Sequence, residues 1–237
     1  MSIFKFDLLP SLLILIIILI LAAFTAVSAG KWQFNKQIDA ELEKLEENNN
    51  KISDDQVIRN EDLQQLPSPV KKWLKKVGIT GKNKIEAVHL KQSGLMKLES
   101  DQKEWFKPEA KQYIAVNKPG FLWQVDLPML PLINTKGKDL FYQGKASMII
   151  KIALLLPVVN RKANDKINES ALHRFLLELP WYPTAALNDY LDWQEIDSTT
   201  AKATINYKGV QASADFIFDQ EGNLIRTEAM RYKESDE

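Results

Sequence analysis

The residues with the clearest potential for chemistry lie together near the end of a predicted helix. Arg174 and Glu178 are four residues apart, so they share one helix face and can form an ion pair. Trp181 and Tyr182 follow between two prolines, which fix the direction of the two rings. Such groups can form one wall of a ligand site, or they can simply plug the open end of a sheet. The predicted ligand-binding set is Trp123, Arg174, Glu178, Trp181 and Tyr182.

Sequence motifs for catalysis and metal binding are missing from the chain. Its nine glycines form no phosphate-binding loop, and it has no Gly-x-Ser-x-Gly elbow and no cysteine. His89 and His173 are far apart and are predicted to be ordinary surface or half-buried histidines. We therefore assign no catalytic residue, no metal ligand and no cofactor. An enzyme would need a cleft formed by polar side chains such as Asp126, Asp139, Arg174 and Glu178.

Charge is balanced over the whole chain but not along it. The 237 residues include 31 basic and 31 acidic side chains, which excludes a globally basic nucleic-acid-binding protein. Residues 67–163 contain 18 basic and 7 acidic residues, whereas residues 164–237 contain 7 basic and 14 acidic ones. We expect either that the two halves cancel each other's fields or that one lysine-rich helix face binds anionic lipid headgroups. The predicted membrane-surface residues are Lys71, Lys72, Lys75 and Lys76.

The N-terminal segment predicts a membrane anchor. Residues 8–30 carry no charge, and a helix of 23 residues is long enough to cross a hydrocarbon core of about 30 Å. Trp32 and Phe34 follow at the position where interfacial aromatic residues lie. We therefore predict that the lipid bilayer is a partner of this chain through residues 8–30.

The sequence contains features for and against cleavage of this segment, and for and against each orientation in the membrane. Val27-Ser28-Ala29 has the small-residue spacing of a signal-peptidase site, so cleavage after Ala29 is one alternative. The apolar run is longer than the roughly 7–15 residues of a signal peptide core, which favours an uncleaved anchor. Lysines that follow the segment favour a cytoplasmic domain, whereas the signal-like site favours the extracytoplasmic location that we predict.

The chain is predicted to have three parts. They are an anchor at 1–30, an acidic helical stalk at 31–62 and a globular domain at 63–237. Apolar residues at Ile38, Leu42 and Leu45 have helical spacing, so the stalk can continue the membrane helix as an amphipathic rod. We interpret the stalk as a solvated spacer.

The globular domain combines a strand pattern with a helix pattern. Segments such as 121–127 and 210–218 alternate apolar and polar residues, which is typical of antiparallel strands with one packed face. Helices are predicted at 68–77, 169–179 and 183–190. The predicted fold is α+β, with a single curved, mostly antiparallel sheet of about nine strands packed with about three helices.

One apolar run does not fit the strand pattern. Residues 127–133 read Leu-Pro-Met-Leu-Pro-Leu-Ile, and the two prolines argue against a central strand. We predict a loop there that is either buried or forms a hydrophobic lip.

Four stretches resemble a bacterial family of unknown function whose members carry an N-terminal membrane segment. They are Leu66-Pro-x-Pro-Val-x-x-Trp-Leu, Pro119-Gly-Phe-x-Trp123, Asp139-x-x-Tyr142-x-Gly144 and Arg174-Phe-Leu-x-Glu178-x-x-Trp181-x-Pro183-Thr-Ala. The family pattern has tyrosines where Trp73 and Phe175 stand, an arginine at Lys72 and a leucine at Ala186. The resemblance covers roughly residues 66–231. It implies a domain boundary and an architecture but no reaction.

These features predict a membrane-anchored, non-enzymatic module that binds an amphipathic or lipid-like ligand. The first alternative is an interaction or scaffold protein of the cell envelope, in which the same surface binds a protein partner. The second alternative is an enzyme with a carboxylate and arginine cleft. We expect no nucleic-acid partner.

Overall fold

The computed structural model describes residues 8–49, 57–97, 101–130 and 133–232. In this part of the chain, three α-helices and ten strands confirm the α+β class. The strands belong to two antiparallel sheets of six and four strands, where we expected one sheet of about nine. Two sheets form because the segment between the sixth and seventh strands folds into helix and packs between the two groups of strands.

The helices are α1 (Leu8–Asn48), α2 (Ser68–Lys76) and α3 (Asp165–Leu177). The six-stranded sheet contains, in spatial order, β1 (Ala87–Ser93), β2 (Glu109–Ala115), β3 (Gly120–Leu130), β4 (Ile133–Tyr142), β5 (Lys145–Ile152) and β6 (Leu156–Arg161). The four-stranded sheet contains β7 (Leu191–Asp197), β8 (Thr200–Tyr207), β9 (Val210–Phe218) and β10 (Leu224–Glu228). Short 3₁₀ helices occupy Glu61–Leu63, Leu179–Trp181 and Pro183–Leu187.

The ends of α2 and α3 follow from capping chemistry. Gly78, which has a φ of 71°, follows the end of α2 in the left-handed conformation that glycine favours. Helix α3 begins earlier than predicted because Asn164 is its N-cap and accepts a hydrogen bond from the N–H of Ile167 at 3.0 Å. The side chain of Asn168 instead accepts from the N–H of Ala146 at 2.8 Å and ties α3 to β5.

Helix α1 runs unbroken for 41 residues, from the predicted anchor into the predicted stalk. Its N-terminal half is unburied and is long and apolar enough to cross a membrane, so it is a candidate membrane span. Its C-terminal half lies along one face of the six-stranded sheet, where Phe34, Ile38 and Leu45 are buried. The interpretation of this segment as a solvated spacer is therefore wrong as far as Asn48, because the sheet covers its apolar stripe.

Helix α1 crosses the sheet from one end to the other. At Gly30, a Cβ atom would lie 2.8 Å from the carbonyl oxygen of Leu154, so glycine permits a close contact with the β5–β6 turn. At the other end, Oδ1 of Asn49 accepts a hydrogen bond from the N–H of Asn117 at 3.0 Å, in the β2–β3 turn. We call the end of the sheet at Leu154 the anchor-proximal end and the end at Asn117 the distal end.

A buried ion pair lies midway along this contact. Both carboxylate oxygens of Glu41 accept hydrogen bonds from the ammonium group of Lys138 on β4. The Lys138 side chain is 4% exposed and that of Glu41 is 15% exposed. Burial lowers the pKa of Lys138 below its ordinary value, and the Glu41 carboxylate opposes that shift.

The register of the strands gives the six-stranded sheet two distinct faces. Gln112 on β2, Trp123 on β3 and Asp139 on β4 are direct cross-strand neighbours, so they share the face opposite α1. Helix α3 packs between this face and the four-stranded sheet. Phe121 and Phe141 join the main core at the distal end of the same face. We call the two faces the α1 face and the α3 face.

The prediction of a loop at residues 127–133 is wrong for its described part. β3 continues through Pro128 to Leu130, and β4 begins at Ile133. A proline is tolerated there because pairing with β2 ends at Asp126, so that among the described residues only β4 pairs with this part of β3. The side chains of residues 129–134, on which the predicted lip depends, lie outside the described part of the structure.

We expect the Glu41–Lys138 pair to be required for stable docking of α1. The substitution Glu41→Ala leaves a buried ammonium group unpaired and should lower the free energy of unfolding by about 3 kcal/mol. The double substitution Glu41→Leu/Lys138→Met removes both charges and should recover most of that loss. Urea unfolding of the detergent-solubilised chain, followed by tryptophan fluorescence, measures both effects.

The exposed Glu43 on the same helix provides the control. Glu43→Ala should change the free energy of unfolding by less than about 0.5 kcal/mol. An equal effect of Glu41→Ala and Glu43→Ala would show that the ion pair does not hold α1 on the sheet.

Candidate functional site

Arg174 is the centre of a polar network between α3 and the α3 face of the sheet. Its Nε donates a hydrogen bond to Oε1 of Glu178 at 2.8 Å, one turn further along the helix. The first terminal nitrogen donates to Oδ2 of Asp139 at 2.9 Å, and the second donates to Oε1 of Gln112 at 3.0 Å. These bonds use three of the five N–H groups of the guanidinium.

Aromatic rings and two glutamine side chains complete the network. The Arg174 guanidinium carbon lies 4.8 Å from the ring centre of Phe121 and 5.3 Å from that of Trp123, within cation–π range. The indole N–H of Trp123 donates to Oε1 of Gln92 at 2.8 Å. The amide of Gln112 donates to Oε2 of Glu178 at 2.6 Å. The network therefore connects four strands, β1 to β4, to α3.

The electrostatics of the network follow from its partial burial. The side chains of Arg174, Asp139 and Glu178 are 19%, 14% and 13% exposed. Burial raises the pKa of Asp139 above its ordinary value, and the Arg174 guanidinium opposes this shift, as does the charge of Arg231. Two carboxylates thus share one fixed cation, which donates three hydrogen bonds within the described residues.

A strip of apolar side chains extends from the network towards the anchor-proximal end of the sheet. Met148 pairs directly with Asp139, and Ile150 and Ile152 follow it on the same face of β5. All three side chains are only half-buried. None of the three buried apolar clusters formed by the described residues includes them. We call Met148, Ile150 and Ile152 the β5 strip.

The structure brings together some of the predicted ligand-binding residues and separates others. Trp123, Arg174 and Glu178 meet in the network. Tyr182 is fully buried, and its hydroxyl donates a hydrogen bond to the carbonyl oxygen of Phe175, so it is a core residue. Trp181 is 46% exposed. Its backbone N–H donates a hydrogen bond to the carbonyl oxygen of Glu178 at 3.0 Å, but no hydrogen bond within the described residues joins its indole ring to the network.

Two members of the network were not predicted from the sequence. Gln112 and Gln92 were not singled out, although Gln112 alternates with the apolar residues Ala110 and Ile114 on β2 and is 3% exposed. A polar residue at a packed strand position signals a buried hydrogen-bond network. Asp139 is named in the enzyme alternative and in one family motif, but not in the predicted ligand-binding set. Asp126, named with it there, lies on the α1 face and pairs with Lys136 at 2.8 Å.

Lysines on the predicted lysine face of α2 donate hydrogen bonds to neighbouring backbone carbonyl groups. Nζ of Lys72 donates to the carbonyl oxygen of Gln220, and Nζ of Lys76 donates to that of Glu221, in the β9–β10 turn. Lys71 donates to the carbonyl oxygen of Gln64. A membrane-surface role for Lys71, Lys72, Lys75 and Lys76 stays a prediction.

The histidines lie in separate environments. Nδ1 of His173 lies 3.1 Å from the carbonyl oxygen of Glu169, and burial lowers the pKa of His173 below its ordinary value. His89 is exposed and stacks edge-on against Tyr113, with 4.9 Å between ring centres. Within the described residues, no group of three or more histidine, aspartate or glutamate side chains could hold a metal ion.

The fold and the network define an α+β domain attached to a candidate membrane helix and organised around a half-buried arginine. Residues 64–237 match the family of unknown function DUF6920. The chain belongs to this family. No curated protein and no solved structure matches the chain.

We expect the network to make the stability of the domain depend on pH. Arg174→Gln should lower the free energy of unfolding by about 3 kcal/mol near neutral pH, because it removes the shared cation. It should also raise the pKa of Asp139 further. A carboxyl group whose pKa is raised by folding stabilises the folded state when protonated, and this contribution is lost as pH rises through the folded-state pKa.

The destabilisation caused by Arg174→Gln should therefore be smaller at about pH 5 than at about pH 7.5. Urea unfolding of the full chain at both pH values measures the difference. Arg226→Gln, which changes an exposed arginine on β10, is the matched control and should have little effect at either pH. A pH-independent loss in Arg174→Gln would contradict this account of Asp139.

Proposed function

We propose that this protein is a membrane-anchored, non-enzymatic module that binds an amphipathic or lipid-like ligand on the α3 face of its six-stranded sheet. The observation that supports this function is the continuity of the β5 strip with the Arg174 network. A ligand aligned with this surface would lay its apolar part along half-exposed side chains. Its polar group would meet the guanidinium N–H groups that donate no hydrogen bond within the described residues.

The geometry of the network favours binding over catalysis. Both carboxylates already accept hydrogen bonds from Arg174, and Gln112 occupies the second oxygen of Glu178. Groups held in this way are positioned to bind and orient, whereas general acid–base catalysis needs a carboxyl group free to exchange a proton with the substrate.

The proposed anchor supports a lipid-like ligand, since it would hold the site beside a bilayer. We propose that residues 8–30 span the membrane once and are not cleaved, because α1 continues as helix through Ala29 and Gly30 packs on the domain.

We place the domain on the extracytoplasmic side. Labelling of a Lys118→Cys variant in intact cells with a membrane-impermeant maleimide tests the side, and a variant that stays unlabelled until the cells are lysed would contradict it.

Native mass spectrometry of the full chain, released from mild detergent, tests ligand binding. We expect a stoichiometric adduct of lipid-like mass in the natural sequence. Ile150→Gln introduces a polar side chain into the middle of the β5 strip and should abolish the adduct. Ile196→Gln makes the same exchange at an exposed isoleucine on β7 and should retain it.

Two results would contradict the proposal. One is a chain that is consistently free of any adduct, and the other is an adduct that survives Ile150→Gln. Recovery of a stoichiometric protein partner whose binding is lost in Ile150→Gln would instead favour the scaffold alternative.

A further inference from the structure

The connections of the six-stranded sheet differ strongly between its two ends. Ser93, Glu109, Asp126 and Lys136 form a continuous cross-strand row at the anchor-proximal end. The β1–β2, β3–β4 and β5–β6 connections all lie beyond this row. The β2–β3 and β4–β5 turns lie at the distal end, next to the C-terminus of α1.

Exposed apolar side chains lie in the β1–β2 and β5–β6 connections and at the start of β6. Leu156 is 67% exposed, Leu95 is 62% exposed and Trp105 is 56% exposed. Leu155 and Val158 are exposed as well. The distal turns are polar by comparison, with Asn117 and Lys118 in one and Gln143 in the other. Soluble proteins rarely expose so many large apolar side chains on one edge of a domain. We call Leu95, Trp105, Leu155, Leu156 and Val158 the apolar rim.

The apolar segment of α1 ends directly beside this rim. A Cβ atom at Gly30 would lie 3.1 Å from Cδ2 of Leu155, so the β5–β6 turn is packed against the last residue of the uncharged segment. If residues 8–30 cross the bilayer, Gly30 lies at its boundary. The rim residue Leu155 is then at the same level as the boundary.

Lysine and tryptophan side chains occur together on α1 and in the β1–β2 connection. Nζ of Lys36 lies 5.0 Å from the ring centre of Trp32 on α1. Nζ of Lys97 lies 4.8 Å from the ring centre of Trp105 in the β1–β2 connection. Tryptophan favours the membrane interface, and lysine can direct its ammonium group from there to the headgroups.

We propose that the apolar rim inserts into the lipid surface and forms a second membrane contact beside α1. The occupant of this surface is the bilayer itself, because the anchor brings lipid to the rim and the paired lysines and tryptophans suit the interface. The contact fixes the tilt of the sheet and places the anchor-proximal end of the β5 strip at the membrane. This inference rests on the proposed anchor and is independent of whether the α3 face binds a ligand.

The absence of cysteine from the sequence allows single-cysteine reporters in the full chain. We would place an environment-sensitive fluorophore at Leu155→Cys in the rim, at Lys118→Cys in the distal turn and at Ile17→Cys within the apolar half of α1. Each labelled chain is reconstituted into vesicles of phosphatidylcholine and phosphatidylglycerol that contain spin-labelled lipid as quencher.

We expect loss of fluorescence at positions 155 and 17 and no loss at position 118. Quenching at 17 combined with no quenching at 155 would overturn the rim contact and leave the anchor intact. No quenching at 17 would overturn the anchor and this inference with it. Because Leu155 and Lys118 are both exposed, neither substitution removes a core contact.

Discussion

The packing of α1 on the six-stranded sheet is the contact on which the rest of the structure depends. A helix that carries an uncharged half of membrane-spanning length would ordinarily leave the following domain free to turn on a linker. Here the same helix buries Phe34 and Leu45 on the sheet and closes a buried ion pair from Glu41 to Lys138. The C-terminal half of this helix is therefore part of the core, and the orientation of the sheet follows from that of the helix.

The two faces of the sheet therefore have different roles. The α1 face is covered by the helix and attaches the sheet to it. The α3 face carries the Arg174 network at its centre and the β5 strip between that network and the anchor-proximal end. Any ligand that reaches the α3 face from a bilayer would meet apolar side chains first and the guanidinium last. That order matches an amphipathic molecule whose polar group lies deepest in the site.

Local rules in the sequence predict much of the fold, while long-range pairing escapes them. Helix α2 and the alternating strand segments follow from capping and periodicity, and the spacing of Arg174 and Glu178 predicts their ion pair. The docking of α1 was missed because an amphipathic stripe has the same pattern whether water or a sheet covers it. The third partner of Arg174 was missed because the register that brings Gln112 beside Asp139 is set by strand pairing.

Hydrogen–deuterium exchange of the full chain in lipid nanodiscs tests the central claim most directly. If α1 is docked, backbone amides between Phe34 and Leu45 should exchange as slowly as those of β3 and β4, because a packed helix opens only when the domain opens. Exchange in that segment at the rate of an isolated, solvated helix, with β3 and β4 still protected, would contradict the claim.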